Sequence, residues 1–173
     1  PAEYLKLIQR MDKLGMLHFT LTPKAVNGAF GAPKPDGSLR LIADMRPANA
    51  KFIPSPKVEL PGPDLRSKLE VPEGESVYVC KSDLDNFYHR LRLPSWMWPY
   101  FAMPPVRAED VGRGDEFGPD TMLYPCYTTM PMGWSHSAIL AQRCHEHIVD
   151  AHTSLRQQDR ITRTSDYRLD RVY

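Results

Sequence analysis

One stretch constrains the fold more than any other: Ser82-Asp-Leu-Asp-Asn-Phe-Tyr-His-Arg-Leu-Arg-Leu93. It overlaps residues 76–84, whose β-branched and aromatic composition predicts a buried strand. Asp83 would then end a hydrophobic strand, where a carboxylate is costly to bury unless a cation or hydrogen-bond donors meet it. Asp85 follows two residues later, and two close carboxylates suit a hard cation such as Mg²⁺. The other reading of this stretch is a solvated turn with two surface acids.

A second stretch, residues 123–142, predicts a strand, a Pro-x-Gly turn ending at Gly133 and a helix. Ser135 or Ser137 is a candidate cap for that helix, which the pattern extends to about Gln158. The start of such a helix presents backbone N–H groups that approach a nucleotide or phosphate closely. An ordinary strand–turn–helix connection explains the same pattern.

The third stretch, residues 30–44, predicts a β-hairpin around a Pro-Asp-Gly-Ser turn. Lys34 and Arg40 lie near the turn, and two such cations fit a triphosphate, which arginine binds in bidentate fashion. The alternative is a solvated hairpin edge whose charged side chains prevent pairing with the strands of another molecule.

Weaker patterns predict the secondary structure of the remaining segments. Apolar residues at helical spacing predict a helix over 2–15, ended by Gly15. The other expectations are loop over 47–75 with a short helix around 63–70, a short strand over 100–103, a polar loop insertion over 107–120 and a strand cut short over 165–173.

Composition limits the classes of protein. Of 173 residues, 42% are hydrophobic, so a sizeable core is expected, and a net charge of +1 argues against a chain-wide basic coat. No apolar run approaches the ~20 residues of a membrane span, so no membrane partner is expected. The three cysteines are odd in number and none lies in a C-x-x-C pair, which predicts reduced thiols and an intracellular location, nucleus or cytoplasm. The missing initiator Met predicts an excised piece of a longer protein.

In this order and spacing, the three stretches resemble the fingers and palm of reverse transcriptases of the retroviral and retrotransposon kind, from about residue 28 to 148. Residues 32–49 look like "K-x-(turn)-R-x-x-x-D-x-R-x-x-N", residues 82–93 like "D-L-x-x-a-F/Y-x-x-L-x-L", and residues 130–142 like "L-P-Q-G-x-x-x-S-P-x-x-x-Q". The resemblance implies an α+β fold: a polymerase palm-type antiparallel sheet with helices on one face plus a fingers β-hairpin, truncated. Residues 1–75 would be fingers-like and residues 76–173 a partial palm.

The resemblance also implies roles for individual residues. Asp83 would be the catalytic metal ligand, with the Leu84 carbonyl offering an oxygen to a second Mg²⁺, for which Mn²⁺ is a substitute. Tyr88 falls where the family carries an aromatic steric gate against the ribose 2′-OH, which favours DNA synthesis. Lys34 and Arg40 would hold the β and γ phosphates. The remaining implied contacts are Asp85, Met132, Gly133 and Gln142 to the nucleotide, and Trp134 and Ser137 to template or primer.

The activity implied is that of an RNA-directed DNA polymerase, a nucleotidyltransferase that adds deoxynucleotides to a primer 3′-OH by two-metal phosphoryl transfer. Its implied partners are an RNA or DNA template with primer, a dNTP, and the remainder of the parent polypeptide: the rest of the palm, a thumb and, as a further candidate, an RNase H domain.

The sequence departs from the family in one respect that bears on activity. The family's second palm motif, aromatic-x-Asp-Asp, is missing, because the chain contains no Asp-Asp pair. We therefore expect this chain alone not to polymerise. One alternative is a catalytically inactive polymerase-derived module that binds nucleic acid or a protein partner. Another, weaker one takes Asp83-Leu-Asp85 as the D-x-D of a nucleotide-sugar transferase.

Overall fold

The computed structural model describes residues 2–33, 35, 37, 39–58, 73–74, 76 and 78–161. Its strands are β1 Leu17–Thr20, β2 Gly28–Pro33, β3 Leu39–Asp44, β4 Val106–Arg107 and β5 Met122–Tyr127. Its α-helices are Ala2–Lys13, Arg46–Asn49, Phe87–Arg90, Gly114–Phe117 and Ser137–His152, and its 3₁₀ helices are Ser95–Phe101, Glu109–Val111 and Gln157–Asp159.

The chain packs into two units, each made of two separate stretches. The first unit comprises Pro1–Ser55 and Asn86–Ser137, and the second comprises Pro56–Asp85 and Ala138–Tyr173. The division into a fingers-like region and a partial palm stays a prediction.

An antiparallel sheet in the order β1-β5-β4 forms the centre of the first unit. Along β1, Leu17 and Phe19 are buried while His18 is exposed, which is the alternation expected of a sheet with one packed face. In β5, the three residues from Pro125 to Tyr127 are all buried. The sheet therefore supplies much of the core of this unit.

The N-terminal helix forms as the sequence predicts. Ile8 and Met11 bury its apolar face. Gly15 ends the helix at φ +67°, and the backbone N–H groups of Gly15 and Met16 donate to the carbonyls of Asp12 and Met11. This is a Schellman cap, which requires the left-handed conformation that glycine adopts without strain.

The segment predicted as a polar insertion, 107–120, is bound to the N-terminal helix by side-chain hydrogen bonds. It connects β4 to β5 through two short helical turns. The Arg113 guanidinium donates to both carboxylate oxygens of Asp12, at 2.9 and 3.1 Å, and lies 4.2 Å from the centre of the Phe19 ring. The Gln9 amide donates to the Asp110 carbonyl at 2.7 Å.

The predicted hairpin is also confirmed. β2 and β3 pair antiparallel, with Gly28 opposite Asp44 and Pro33 opposite Leu39. Gly37, in the turn, has φ +80°, as the turn chemistry requires.

Three predictions of secondary structure are wrong. Residues 78–84 form no strand and are exposed, with Tyr78 92% and Val79 85% accessible. The stretch predicted as a strand over 100–103 is largely the end of a 3₁₀ helix; only Ala102 makes sheet-like bridges, to Val26 and Cys126. The long helix ends at His152, short of Gln158. The helix predicted around 63–70 and the strand over 165–173 lie outside the described residues.

Two other expectations concern membrane-spanning helices and the state of the cysteines. Among the described residues, no helix has both the length and the apolar character needed to cross a bilayer. The cysteines at positions 80, 126 and 144 are all free.

Candidate functional site

The base of the hairpin meets the Pro-x-Gly turn, and glycine is required at the meeting point. Gly133 has φ +109°, and a Cβ atom there would lie 2.7 Å from the Ala43 carbonyl oxygen and 3.5 Å from Met45 Cγ. Any larger residue would push the turn away from β3. The sequence predicts that Gly133 permits a close approach to a nucleotide; in the structure, the group that approaches it is the backbone of the hairpin.

The Asn49 side chain forms two hydrogen bonds across the same junction. Its side-chain amide donates to the Gly133 carbonyl at 3.0 Å, and its side-chain oxygen accepts from the backbone N–H of Ser135 at 2.9 Å. One side chain thus satisfies two backbone groups of the turn. The sequence pattern gives Asn49 no role of its own, although it is the last residue of the fingers-like motif.

Asp44 and Arg46 form a bidentate ion pair at the edge of this junction. Arg46 Nη2 lies 2.6 Å from Asp44 Oδ2, and Nε lies 2.8 Å from Oδ1. Hydrogen bonds from Arg46 lower the pKa of the Asp44 carboxyl. The Arg46 side chain is 87% exposed. Asp44 therefore holds the guanidinium in one position while most of it stays accessible to solvent.

These residues border a concave pocket of about 330 Å³ in the first unit. Its polar groups come from Asp44, Arg46 and Asn49, and its apolar wall includes Phe30, whose ring is 54% exposed although it lies in a strand. An exposed aromatic ring near a fixed guanidinium can hold a flat, anionic ligand by stacking and charge. The other lining residues are Ile42, Ala43, Met45 and Gly133.

An aromatic cluster packs around Trp134, which follows Gly133 in the turn. The Trp134 ring is 5% exposed and packs edge-on against Phe101 and Phe52, each at 5.2 Å between centroids. Ser137 is also buried, and its hydroxyl donates to the Pro131 carbonyl at 2.7 Å. Contacts of Trp134 and Ser137 with template or primer stay a prediction; in this structure both residues position the turn.

The other residues predicted to contact a nucleotide are Met132 in the first unit, Gln142 in the second, and Lys34 and Arg40 in the hairpin. Met132 is 45% exposed beside Gly133. Gln142 lies on the long helix, where its amide donates to Glu146 at 2.9 Å. Lys34 lies outside the described residues, and Arg40 is described only by its backbone, opposite Ala32 in the hairpin.

Asp83 does not lie where the sequence argument places it. Asp83, Leu84 and Asp85 are exposed and belong to no strand, so no buried strand end forces a cation onto Asp83. Strand formation requires a ladder partner, and no described residue pairs with 78–84. Tyr88 is half-buried on the helix Phe87–Arg90, which begins after Asn86 in a left-handed conformation.

Within the described ranges, no group of three or more His, Cys, Asp or Glu side chains is arranged to hold a metal ion. Mg²⁺ takes six oxygen ligands, of which the protein usually supplies one or two carboxylates. A pair of cations needs more negative ligands than one exposed Asp-Leu-Asp segment offers. The described residues therefore do not fit a two-metal centre.

Comparison with known proteins bears on the fold. No protein-family model matches the sequence, and no curated protein matches it. Among solved structures, the chain resembles a foamy viral protease–reverse transcriptase solved in complex with double-stranded DNA, with a TM-score of 0.54 and 18% identity over 81% of this chain. The match covers 21% of that protein, so the chain spans about a fifth of its length. The chain therefore has a reverse-transcriptase-like fold.

Proposed function

We propose that this chain supplies the fingers and part of the palm of an RNA-directed DNA polymerase of the retroviral or retrotransposon type. The observation that carries the proposal is the double hydrogen bond of Asn49, which joins the last residue of the fingers-like motif to the turn at Gly133 and Ser135 in the palm-like motif. Two stretches recognised separately in sequence thus form one structural junction. The similarity of fold to a reverse transcriptase supports the same conclusion.

The junction pocket is the proposed contact with template and primer. Base stacking on Phe30 is worth roughly 1–3 kcal/mol by analogy with other aromatic platforms. The Arg46 guanidinium, held by Asp44, would meet a backbone phosphate. Neither interaction depends on base identity, as a polymerase requires.

The catalytic assignments follow from the resemblance. Lys34 and Arg40 would bind the phosphates of a dNTP, and Tyr88 would exclude the ribose 2′-OH. Asp83 would bind Mg²⁺, or Mn²⁺ in its place, together with the Leu84 carbonyl in the complete parent.

Binding of a labelled RNA–DNA hybrid with a recessed 3′ end, followed by fluorescence anisotropy at low salt, tests the nucleic-acid part of the proposal. Phe30→Ala and Arg46→Gln should each weaken binding about tenfold, the equivalent of roughly 1.4 kcal/mol. Arg10→Gln, an exposed arginine on the N-terminal helix, is the matched control and should change little. Absence of binding, or equal loss in all three variants, would count against the proposal.

The second candidate is a catalytically inactive, polymerase-derived module that binds nucleic acid or protein. It is favoured by the exposure of Asp83 and by the lack of a metal-binding group among the described side chains. Electron paramagnetic resonance of Mn²⁺ with wild type and Asp83→Asn separates the two. Bound Mn²⁺ that the substitution removes supports the polymerase; hybrid binding without any Asp83-dependent Mn²⁺ supports the inactive module.

A further inference from the structure

A polar cavity in the second unit shares no residue with the hairpin junction, although Gln142, one of the nucleotide contacts that the resemblance implies, lies in its wall. It measures about 370 Å³, within the range of small-molecule sites. The long helix forms one wall, and the segments at 57–58 and 157–160 form the others. All of its lining residues belong to the second unit.

Cations outnumber acids among the described residues of this cavity. Lys57, Arg143 and Arg160 line it, against one carboxylate in the part of the lining that the structure describes, that of Glu146. Arg160 Nη1 lies 3.0 Å from Glu146 Oε2, and both side chains are 19% exposed. The Gln142 amide donates to the other oxygen, Oε1, at 2.9 Å. Glu146 is therefore engaged through both oxygens, and Arg160 is shared with a second carboxylate, since its Nη2 lies 3.9 Å from Asp150 Oδ2.

Two of the cations that line the cavity have no ion-pair partner among the described side chains. Lys57 and Arg143 are exposed at the cavity, and neither makes an ion pair with any side chain that the structure describes. Both are therefore available to an anion, and arginine presents a fork of N–H donors that matches phosphate oxygens.

The remaining lining suits a nucleoside. Val58 and Ile139 offer apolar surface, and the Gln157 amide offers both a donor and an acceptor. Cavities of this mixed kind bind a ligand that has a charged end and a flat, partly apolar body.

We propose that this cavity binds a nucleotide, with Arg143 and Lys57 holding its phosphate group and Val58 and Ile139 packing against its base. The phosphate can belong to a free mononucleotide or to the backbone of a single strand. This inference does not rest on the polymerase assignment, because it uses none of the residues of the hairpin junction.

Isothermal titration calorimetry of the full 173-residue chain tests it, with adenosine 5′-monophosphate, adenosine, inorganic phosphate and a short oligodeoxythymidine as probes. The monophosphate should bind at least tenfold more tightly than adenosine, and Arg143→Gln and Lys57→Gln should each weaken that binding at least fivefold. Arg10→Gln, an exposed arginine of the first unit, should leave it unchanged. Circular dichroism of each variant confirms that its fold is retained.

The probes also identify the source of the phosphate. Tighter binding of the monophosphate than of the oligonucleotide indicates a free nucleotide, and the reverse order indicates a nucleic-acid backbone; either order supports a phosphate site. The proposal is overturned if none of the three phosphate-bearing probes binds at millimolar concentration, if adenosine binds as tightly as its monophosphate, or if Arg10→Gln has the same effect as Arg143→Gln.

Discussion

Gly133 lies so close to Ala43 that a methyl group at position 133 would stand 2.7 Å from the Ala43 carbonyl oxygen. That distance is shorter than any normal contact between a Cβ atom and backbone oxygen. The junction between hairpin and turn therefore tolerates no side chain on the turn, and the hydrogen bonds of Asn49 hold the two parts together at this separation.

Gly133→Ala should lower the free energy of unfolding by about 3 kcal/mol, because it adds a clash to the cost of a positive φ. Gly112→Ala is the matched control: Gly112 also has positive φ, but nothing lies within 4 Å of the point that a Cβ atom would occupy, so the cost should be about 1 kcal/mol. Urea denaturation measures both. Equal losses would show that the contact with Ala43 is unimportant.

Asn49→Ala should cost about 2 kcal/mol, since it removes two hydrogen bonds worth roughly 1 kcal/mol each. Asn49→Asp keeps the oxygen that accepts from Ser135 but places a carboxylate oxygen where the donor to the Gly133 carbonyl stood, 3.0 Å away, so repulsion between the two oxygens should make its loss at least as large as that of the Ala variant. Urea denaturation ranks the three proteins. A smaller loss in the Asp variant than in the Ala variant would contradict the assigned donor to Gly133.

Arg113→Gln should destabilise the protein by about 1–2 kcal/mol, because it removes a bidentate ion pair with Asp12 and the contact with the Phe19 ring. Lys6→Gln breaks an ion pair with Glu3 in which both side chains are largely exposed, and it should cost less than about 0.5 kcal/mol, as is typical of such pairs. Thermal unfolding at low and high salt compares them. If the two variants lose the same stability, the partial burial of the Asp12–Arg113 pair has no energetic effect.

Arg46→Gln should raise the pKa of Asp44 towards its ordinary value, because Arg46 is the cause of its lowering. A carboxyl whose pKa is lower in the folded state stabilises that state fully above its unfolded pKa. This contribution is lost as the pH falls below about 4 and through the lowered value. A carbon-13 titration of the Asp44 carboxyl in both proteins measures the change. An unchanged pKa would mean that the two side chains do not pair in solution.

The three thiols should react at different rates with a disulfide reagent. Cys80 is exposed, Cys144 is partly covered, and Cys126 is buried, which raises the pKa of its thiol to about 12. The expected order is therefore Cys80, then Cys144, with Cys126 reacting only in denaturant. Mass spectrometry of the modified peptides gives the order. Protection of Cys80 would instead support the buried strand that the sequence predicts over 76–84.

Local chemistry accounts for the elements that the sequence predicts correctly. The N-terminal helix follows from apolar spacing and the cap at Gly15, and the hairpin follows from a turn whose Gly37 accepts positive φ. Each of these signals acts over a few residues, so it can be read without knowledge of the rest of the fold.

The failures come from interactions that a linear pattern does not contain. The composition of residues 76–84 favours a strand, but a strand also needs a partner, and none is paired with it among the described residues. The roles of Asn49 and Gly133 depend on a contact across 84 positions of sequence. The sequence motifs include both residues and assign a role only to Gly133, and only the fold shows that Asn49 is hydrogen-bonded to it.

The pairing of Asp12 with Arg113 spans 101 positions and ties the first helix to the connection before β5. Shortening the chain from its amino end would therefore release a guanidinium more than a hundred residues downstream, and the damage would appear far from the deletion.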